Sequence, residues 1–274
     1  MNEPKNFSIL IPTRHRIPLL DGLIESIVTN TQELNQTEII VMYDNDDNST
    51  AQQKQYFLDK YGNKIKLEFY NRERSFNMNG DYYNYMATNL ATGKYLIAVN
   101  DDTKFIKYAW DTEARIKIEK FLENKPDGVF YGVTDDMEVE RKRNEHYWFS
   151  CFPLVSKAAV NIMGFFFDPH IWKDGADWDL LAIYKNIDRA LDLRNEIIIQ
   201  HISVRSGRRG RDILDEENTH INASMIPRVQ AGYNTQNYVE FLRTYIQRYG
   251  SEEYKDTNFL KLAEEGKCKT IKPY

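Results

Sequence analysis

Two adjacent carboxylates follow an apolar run. Asn100, Asp101 and Asp102 come directly after residues 95–99, which are Tyr-Leu-Ile-Ala-Val. A short run that is apolar throughout is typical of a central strand in a parallel sheet, buried on both faces. Ligands of open α/β sheets bind just beyond the carboxyl ends of such strands, where carboxylates could hold a hard divalent cation and, through it, a phosphate. Because Asn and Asp also favour turns, a plain solvated turn remains the alternative.

Polar residues also follow the first two predicted strands. Asp44 ends the second apolar run and could accept a hydrogen bond from the N–H of a nucleobase, or it could cap the turn that follows. The first apolar run, residues 7–11, is predicted to be a strand that Pro12 stops. Pro12, Thr13 and Arg14 follow it and could contact the base or a diphosphate. Arg14 could equally be a surface charge.

His201 and an arginine-rich stretch lie together late in the chain. His201 ends the apolar stretch 197–200 and could be a metal ligand or a structural histidine; imidazole suits Mn²⁺ better than Mg²⁺. Residues 205–211 then carry four Arg and two Gly, and we interpret them as a mobile lid whose Arg205, Arg208 and Arg209 bind the diphosphate. The alternatives are a solvated charge run and a grip on a nucleic-acid backbone.

The elements that position these residues alternate between strand and helix for about the first 100 residues, which predicts βαβ units and a mostly parallel sheet. The second half is less regular and is expected to add antiparallel strands. From residue 215 the chain is polar with helical patches. We therefore predict an α/β domain over residues 1–214 and a helical C-terminal extension over residues 215–274.

The bulk composition narrows the function classes. The chain has 274 residues, a net charge of −5 and a pI of about 5.7, which argues against a protein coated in nucleic acid. Two cysteines, Cys151 and Cys268, give neither a zinc spacing nor a disulfide framework, which favours a reducing, cytoplasmic setting. A signal peptide and a membrane span are not expected. The oligomeric state is left open.

Four segments in order resemble the family 2-type glycosyltransferases of the GT-A fold. They are residues 7–13, which resemble the opening strand; 38–44, which resemble the second strand with its terminal acid; 100–102, at the place of the Asp-x-Asp motif; and 175–180, which resemble a Glu-Asp-Trp-Asp-Leu segment. The resemblance spans roughly residues 7–205. It implies a Rossmann-like nucleotide-binding mixed sheet flanked by helices.

The resemblance also implies a set of roles. Asp102 would be the ligand of a Mn²⁺ or Mg²⁺ cofactor, with His201 as a further ligand, and Asp101 would lie on the ribose or sugar side. Asp44 would read the base of the donor, which favours a UDP-sugar. Asn79 and Asn84 would touch the ribose or the donor sugar, although Asn84 could instead bridge loops.

Asp177 would be the general base of an inverting transfer, taking the proton of the acceptor hydroxyl. Its alternative is a helix N-cap, and a retaining transfer would need no base there. The chain departs from the family pattern at two positions, with Asn100 in place of Asp and Ala176 in place of Glu.

The sequence therefore predicts a metal-dependent glycosyltransferase with a nucleotide-sugar donor. The acceptor could be a glycan, a protein, a small molecule or, as a minority interpretation, a flipped-out modified base in DNA. A sugar-phosphate nucleotidyltransferase usually needs a Gly-rich loop after the first strand, and this chain has no Gly there before Gly22. A non-catalytic carbohydrate- or nucleotide-binding protein on a degenerate GT-A fold is the alternative of another class, favoured by Asn100 and Ala176.

Overall fold

The structure is a computed structural model that describes residues 5–137, 150–169, 176–186, 188–204, 207–212 and 214–215. Arg205 and, apart from Asp215, the predicted C-terminal extension lie outside these residues. None of the helices within the described ranges is long and apolar enough to cross a membrane.

A mixed sheet forms the centre of the described part of the chain. Its strands, in chain order, are β1 (Phe7–Thr13), β2 (Thr37–Asp44), β3 (Lys66–Arg72) and β4 (Tyr95–Ala98), and then, after a short strand β5 (Thr103–Phe105) outside the sheet, β6 (Tyr131–Val133), β7 (Leu154–Ser156) and β8 (Ala190–Asp192). The spatial order is β3-β2-β1-β4-β7-β6-β8, and β7 is the strand that runs antiparallel to both of its neighbours. β5 pairs separately with β9 (Ile199–His201), also antiparallel.

Helices cover both faces of the sheet. They are α1 (Ile17–Asn30), α2 (Asn48–Tyr61), α3 (Trp110–Leu122), α4 (Lys157–Met163) and α5 (Ala176–Asn186), together with two π-helical segments, Met78–Tyr83 and Met86–Leu90. The apolar side chains of α1, α2 and α3 share one buried cluster, and those of the π-helical segments, α4 and α5 share the other. The central strands are apolar on both faces because each face has its own helical layer.

The first strand is longer than the sequence indicates. Pro12 is expected to stop it, yet β1 continues through Pro12 and Thr13 in register with Met42 and Tyr43 of β2. The backbone of Leu10 faces β4, since its carbonyl accepts from Val99 N at 3.1 Å, and Pro12 points the same way two residues later. Pairing with β4 ends at Leu10, so the missing N–H of Pro12 has no ladder partner to lose.

The order of the strands places a crevice beside β1. β1 pairs with β2 on one side and with β4 on the other, and all three strands run parallel. The chain therefore moves outward in opposite directions from β1 and β4, which is the topological switch point where open α/β sheets bind ligands. The loops after β1 and β4 meet at this point.

Candidate functional site

Asn100 holds the turn that follows β4. Tyr83 Oη donates to Asn100 Oδ1 at 2.8 Å and to the carbonyl of Val99 at 3.0 Å, and Thr103 Oγ1 donates to the Asn100 carbonyl at 2.7 Å. Burial and the charges of Asp101 and Asp102 raise the pKa of Tyr83 well above its usual value, so the phenol stays a donor. The amide therefore anchors the turn without adding a third charge beside the two aspartates.

Asp101 joins the two loops at the switch point. It is 3% exposed, Thr13 Oγ1 donates to its Oδ2 at 2.9 Å, and Arg16 Nη1 lies 3.1 Å from its Oδ1. Burial raises the pKa of Asp101 and outweighs the opposing charge of Arg16. The carboxylate is thus directed toward the loop after β1.

Asp102 faces His201 because β5 and β9 pair in a fixed register. Thr103 lies opposite His201 in that pair, and Ile202 N donates to the Asp102 carbonyl at 2.7 Å. His201 Nε2 forms an ion pair with Asp102 Oδ1 at 3.4 Å, but this contact does not have the geometry of a hydrogen bond, and the buried Oδ1 has no hydrogen-bond partner within the described part of the chain. Arg209 Nη2 lies 3.0 Å from the other oxygen, Oδ2. Burial opposes ionisation of Asp102, yet His201, Arg16 and Arg209 together lower its pKa.

The pair Asp102 and His201 fits a divalent cation. Two neighbouring ligands with metal bonds of about 2.1–2.5 Å lie about 3–3.5 Å apart, which matches the 3.4 Å between Oδ1 and Nε2. The cation would be a partner for Oδ1, which has no hydrogen-bond partner among the described residues. Within the described residues, however, no group of three or more His, Cys, Asp or Glu is arranged to hold a metal, so the other ligands would come from elsewhere.

Two arginines and two further aspartates complete the cluster. Arg16 and Arg209 both contact Asp212 and Asp215, and both also contact the Asp101–Asp102 turn. We call Asp212 and Asp215 the covering segment. The sequence analysis missed Arg16, Asp212 and Asp215 as site residues. The available signal was the position of Arg16 in the short loop between β1 and α1, at the switch point.

The end of β2 forms a second polar cluster on the same edge of the sheet. Asp44 is buried and accepts from Tyr82 Oη and, at 2.9 Å, from Arg14 Nη1. Arg14 also contacts Asp46, and this hydrogen bond raises the pKa of the guanidinium. Since a carboxylate has about four acceptor positions, Asp44 keeps capacity for another donor.

Asn84 uses its side chain within the protein. Its Nδ2 donates to the carbonyl of Phe167 at 2.8 Å, and its Oδ1 accepts from the backbone N–H groups of Phe166 and Phe167 at 2.9 and 2.8 Å. This arrangement favours the loop-bridging alternative over a donor contact. Asn79 is buried in the first π-helical segment, and Pro12 is buried in β1.

The remaining described site residues that the sequence predicts are Arg208 and Asp177. Arg208 is exposed and donates to the carbonyl of His201 at 2.7 Å, so it braces β9. Asp177 is the second residue of α5, is partly buried, and belongs to a helix that contacts β6 and β8.

The fold is shared with solved structures. TarS 1-349 of S. aureus in complex with UDP has a TM-score of 0.55 at 14% identity, covering 97% of this chain and 88% of that one. A Pyrobaculum calidifontis mannosyltransferase with GDP-Man and Mn²⁺ gives 0.53 at 14% identity, covering 98% and 90%. GalNAc-T7 with UDP, GalNAc and Mn²⁺ gives 0.53 at 13% identity, covering 99% and 56%.

The fold is GT-A. This confirms the predicted mixed α/β fold class and the resemblance to the fold of the GT-A glycosyltransferases. No protein-family model and no curated protein matches the sequence. At identities of 12–14% the likeness describes the architecture, and the function has to be argued from the site.

Proposed function

We propose that this GT-A protein is a metal-dependent glycosyltransferase that moves a sugar from a nucleotide-sugar donor to an acceptor hydroxyl. The observation that carries the proposal is that the buried Oδ1 of Asp102 has no hydrogen-bond partner among the described residues and lies 3.4 Å from His201 Nε2 at the switch point of the sheet. A buried oxygen without a partner is costly, and a cation at this position would satisfy it.

Asp102 and His201 would hold the cation, Mn²⁺ being favoured by the imidazole. When bound there, a divalent cation supplies Lewis-acid stabilisation of the departing diphosphate. The turn that carries Asp102 is braced by Asn100, Tyr83 and Thr103, which keeps the carboxylate in place. Asp101, held by Thr13, would face the ribose or the sugar.

The base of the donor would lie at the end of β2. Asp44 would accept from a base N–H such as N3–H of uracil, and Arg14 beside it would donate to a base carbonyl, so a UDP-sugar is the donor we propose. Complexes with UDP and with GDP-Man among the structural neighbours support this class of ligand. Asn79 would line the same side of the site.

The lid and the general base complete the proposal. Arg209, with Arg205 and Arg208, would cover the diphosphate and exclude water, and Gly207 and Gly210 would allow the backbone to fold over the ligand. Asp177 would take the proton from the acceptor hydroxyl in an inverting transfer. A retaining transfer on the same site would not need Asp177.

The test is a panel of nucleotides and nucleotide sugars, with and without Mn²⁺, measured as shifts in melting temperature and then as UDP release. We expect UDP and UDP-sugars to stabilise the protein with Mn²⁺ and slow UDP-sugar hydrolysis to follow. A folded protein that bound no nucleotide under either condition would refute the proposal.

One observation favours a second candidate, a nucleotide-binding protein without turnover. Arg209 pairs with Asp102 at 3.0 Å, which places a positive charge beside the proposed metal ligand. Such a protein would bind UDP-sugars yet release no UDP over a broad range of acceptors, whereas a glycosyltransferase would show at least the slow hydrolysis.

A further inference from the structure

Two arginines beside the Asp101–Asp102 turn, Arg16 and Arg209, form ion pairs with the same two carboxylates. Arg16 Nε and Nη2 lie 2.8 and 2.9 Å from the two oxygens of Asp212, and Nη2 lies 3.2 Å from Asp215 Oδ1. Arg209 has the mirrored arrangement, with both Nη atoms on Asp215 and Nη1 3.4 Å from Asp212 Oδ2. Within this pair of carboxylates, each arginine thus makes a bidentate contact with one and a single contact with the other.

The two carboxylates are fixed against each other by their own backbone. Asp212 N donates to Asp215 Oδ2 at 3.0 Å, and Asp215 N donates to Asp212 Oδ1 at 3.0 Å. Their side chains are 34% and 24% exposed, whereas those of Arg16 and Arg209 are 11% and 12% exposed. The carboxylates therefore lie on the solvent side of the arginines, where a ligand arriving from solution would meet them first.

The pair of carboxylates resembles a diphosphate in charge and in bonding. The diphosphate of a nucleotide sugar carries about two negative charges, and arginine binds phosphate in the same bidentate manner as carboxylate. Asp101, Asp102, Asp212 and Asp215 together with Arg16 and Arg209 have a formal charge of −2. Replacing Asp212 and Asp215 by a diphosphate leaves that charge unchanged, and one divalent cation would balance it.

We propose that Arg16 and Arg209 form the diphosphate-binding site of this protein, and that Asp212 and Asp215 occupy it as an internal mimic which the donor displaces. The inference rests on the proposed function and adds Arg16 to the binding residues. It also makes the covering segment a competitor of the donor. A segment that covers the site nine-tenths of the time weakens donor binding about tenfold.

The experiment is isothermal titration calorimetry of the full chain with UDP and, separately, inorganic pyrophosphate, in the presence of Mn²⁺. We expect Asp212→Asn/Asp215→Asn to bind both ligands about five- to tenfold more tightly than the wild type. We expect Arg16→Gln to bind both at least about tenfold more weakly, as loss of a bidentate charged contact predicts. Asp215→Asn alone, which keeps the bidentate pair of Arg16 with Asp212, is expected to lie between the wild type and the double variant.

The matched control is Glu33→Gln/Glu119→Gln. It also removes two carboxylates that share one guanidinium, that of Arg115, but Glu33 precedes the amino end of β2 and so lies at the opposite edge of the sheet from the site. It tests whether a lower net negative charge by itself strengthens anion binding. Melting curves establish that each variant is folded.

The outcomes separate the two proposals. Tighter binding in the double variant, with no change in the control, supports displacement of the covering segment. Unchanged or weaker binding in a folded double variant, or unchanged binding in Arg16→Gln, overturns it, and the proposed function stands as long as UDP binds the wild type. If neither the wild type nor any variant binds UDP with Mn²⁺, the proposed function itself fails.

Discussion

Replacing Asp102 by Asn separates a role in metal binding from a role in stability. The change keeps the size of the side chain but removes the charge that faces His201 and Arg209. Arg209 keeps its ion pairs with Asp212 and Asp215 in this variant. Because Asp102 is buried and its lowered pKa shows that the folded protein favours its charge, we expect the change to lower the free energy of unfolding by about 1–2 kcal/mol.

The effect on turnover should exceed the effect on stability. Loss of a charged ligand that stabilises a departing diphosphate should lower Mn²⁺-dependent UDP release about 100-fold or more, which corresponds to about 2.7 kcal/mol in the activation free energy. The assay is UDP release from UDP-sugars over a range of Mn²⁺ concentrations, with urea unfolding on the same preparations. Higher Mn²⁺ should recover part of the activity.

Asp21→Asn is the matched control for this change. Asp21 also accepts from a cation, Lys60 Nζ at 2.8 Å, but this pair joins α1 to α2 in the helical layer. We expect it to leave UDP release within about twofold of the wild type, as for a surface pair of small energy. If Asp102→Asn kept a third or more of the activity, or if Asp21→Asn lost as much, Asp102 would not be the metal ligand.

Three further outcomes are expected. Glu38→Gln should lower the free energy of unfolding by about 1–2 kcal/mol at neutral pH, because Lys66 and other donors lower the pKa of the buried Glu38, which burial alone would raise. The extra stability of the wild type is present above the ordinary pKa of 4.5 and is lost as the pH falls through the lowered pKa. Urea unfolding at a series of pH values should therefore show the difference shrinking on acidification, and a difference that grew would contradict this. Asn84→Ala should destabilise the protein by about 2–4 kcal/mol, because three hydrogen bonds to the backbone are lost. The affinity of the folded variant for UDP should stay within about twofold of the wild type, and a selective loss of that affinity would support the predicted contact of Asn84 with the donor. Asp177→Asn should lower transfer to an acceptor about 100-fold or more but leave UDP binding unchanged by calorimetry, and undiminished transfer would favour a retaining reaction.

Much of the fold was predictable because its signals are local. The apolar runs before Asp44 and Asp101 are buried on both faces, and the spacing of Leu20, Leu23, Ile24 and Ile27 marks the buried side of α1. Polar residues directly after such runs could be assigned to the carboxyl edge of a parallel sheet from sequence alone. The predicted end of the first strand before Pro12 was wrong, because the cost of a proline depends on which neighbouring strand its nitrogen faces.

The site residues also divide into those that local sequence signals predict and those that only tertiary packing brings together. The sequence by itself determined that Asp101 and Asp102 follow a central strand, since the apolar composition of the preceding run predicts its burial. Only the tertiary structure decided that His201 meets Asp102, through the β5–β9 register, and that Asp212 and Asp215, 196 and 199 residues from Arg16, share its guanidinium. Local periodicity specifies which face of an element is buried. It does not specify which distant charge a buried carboxylate meets, because that depends on how separate elements pack.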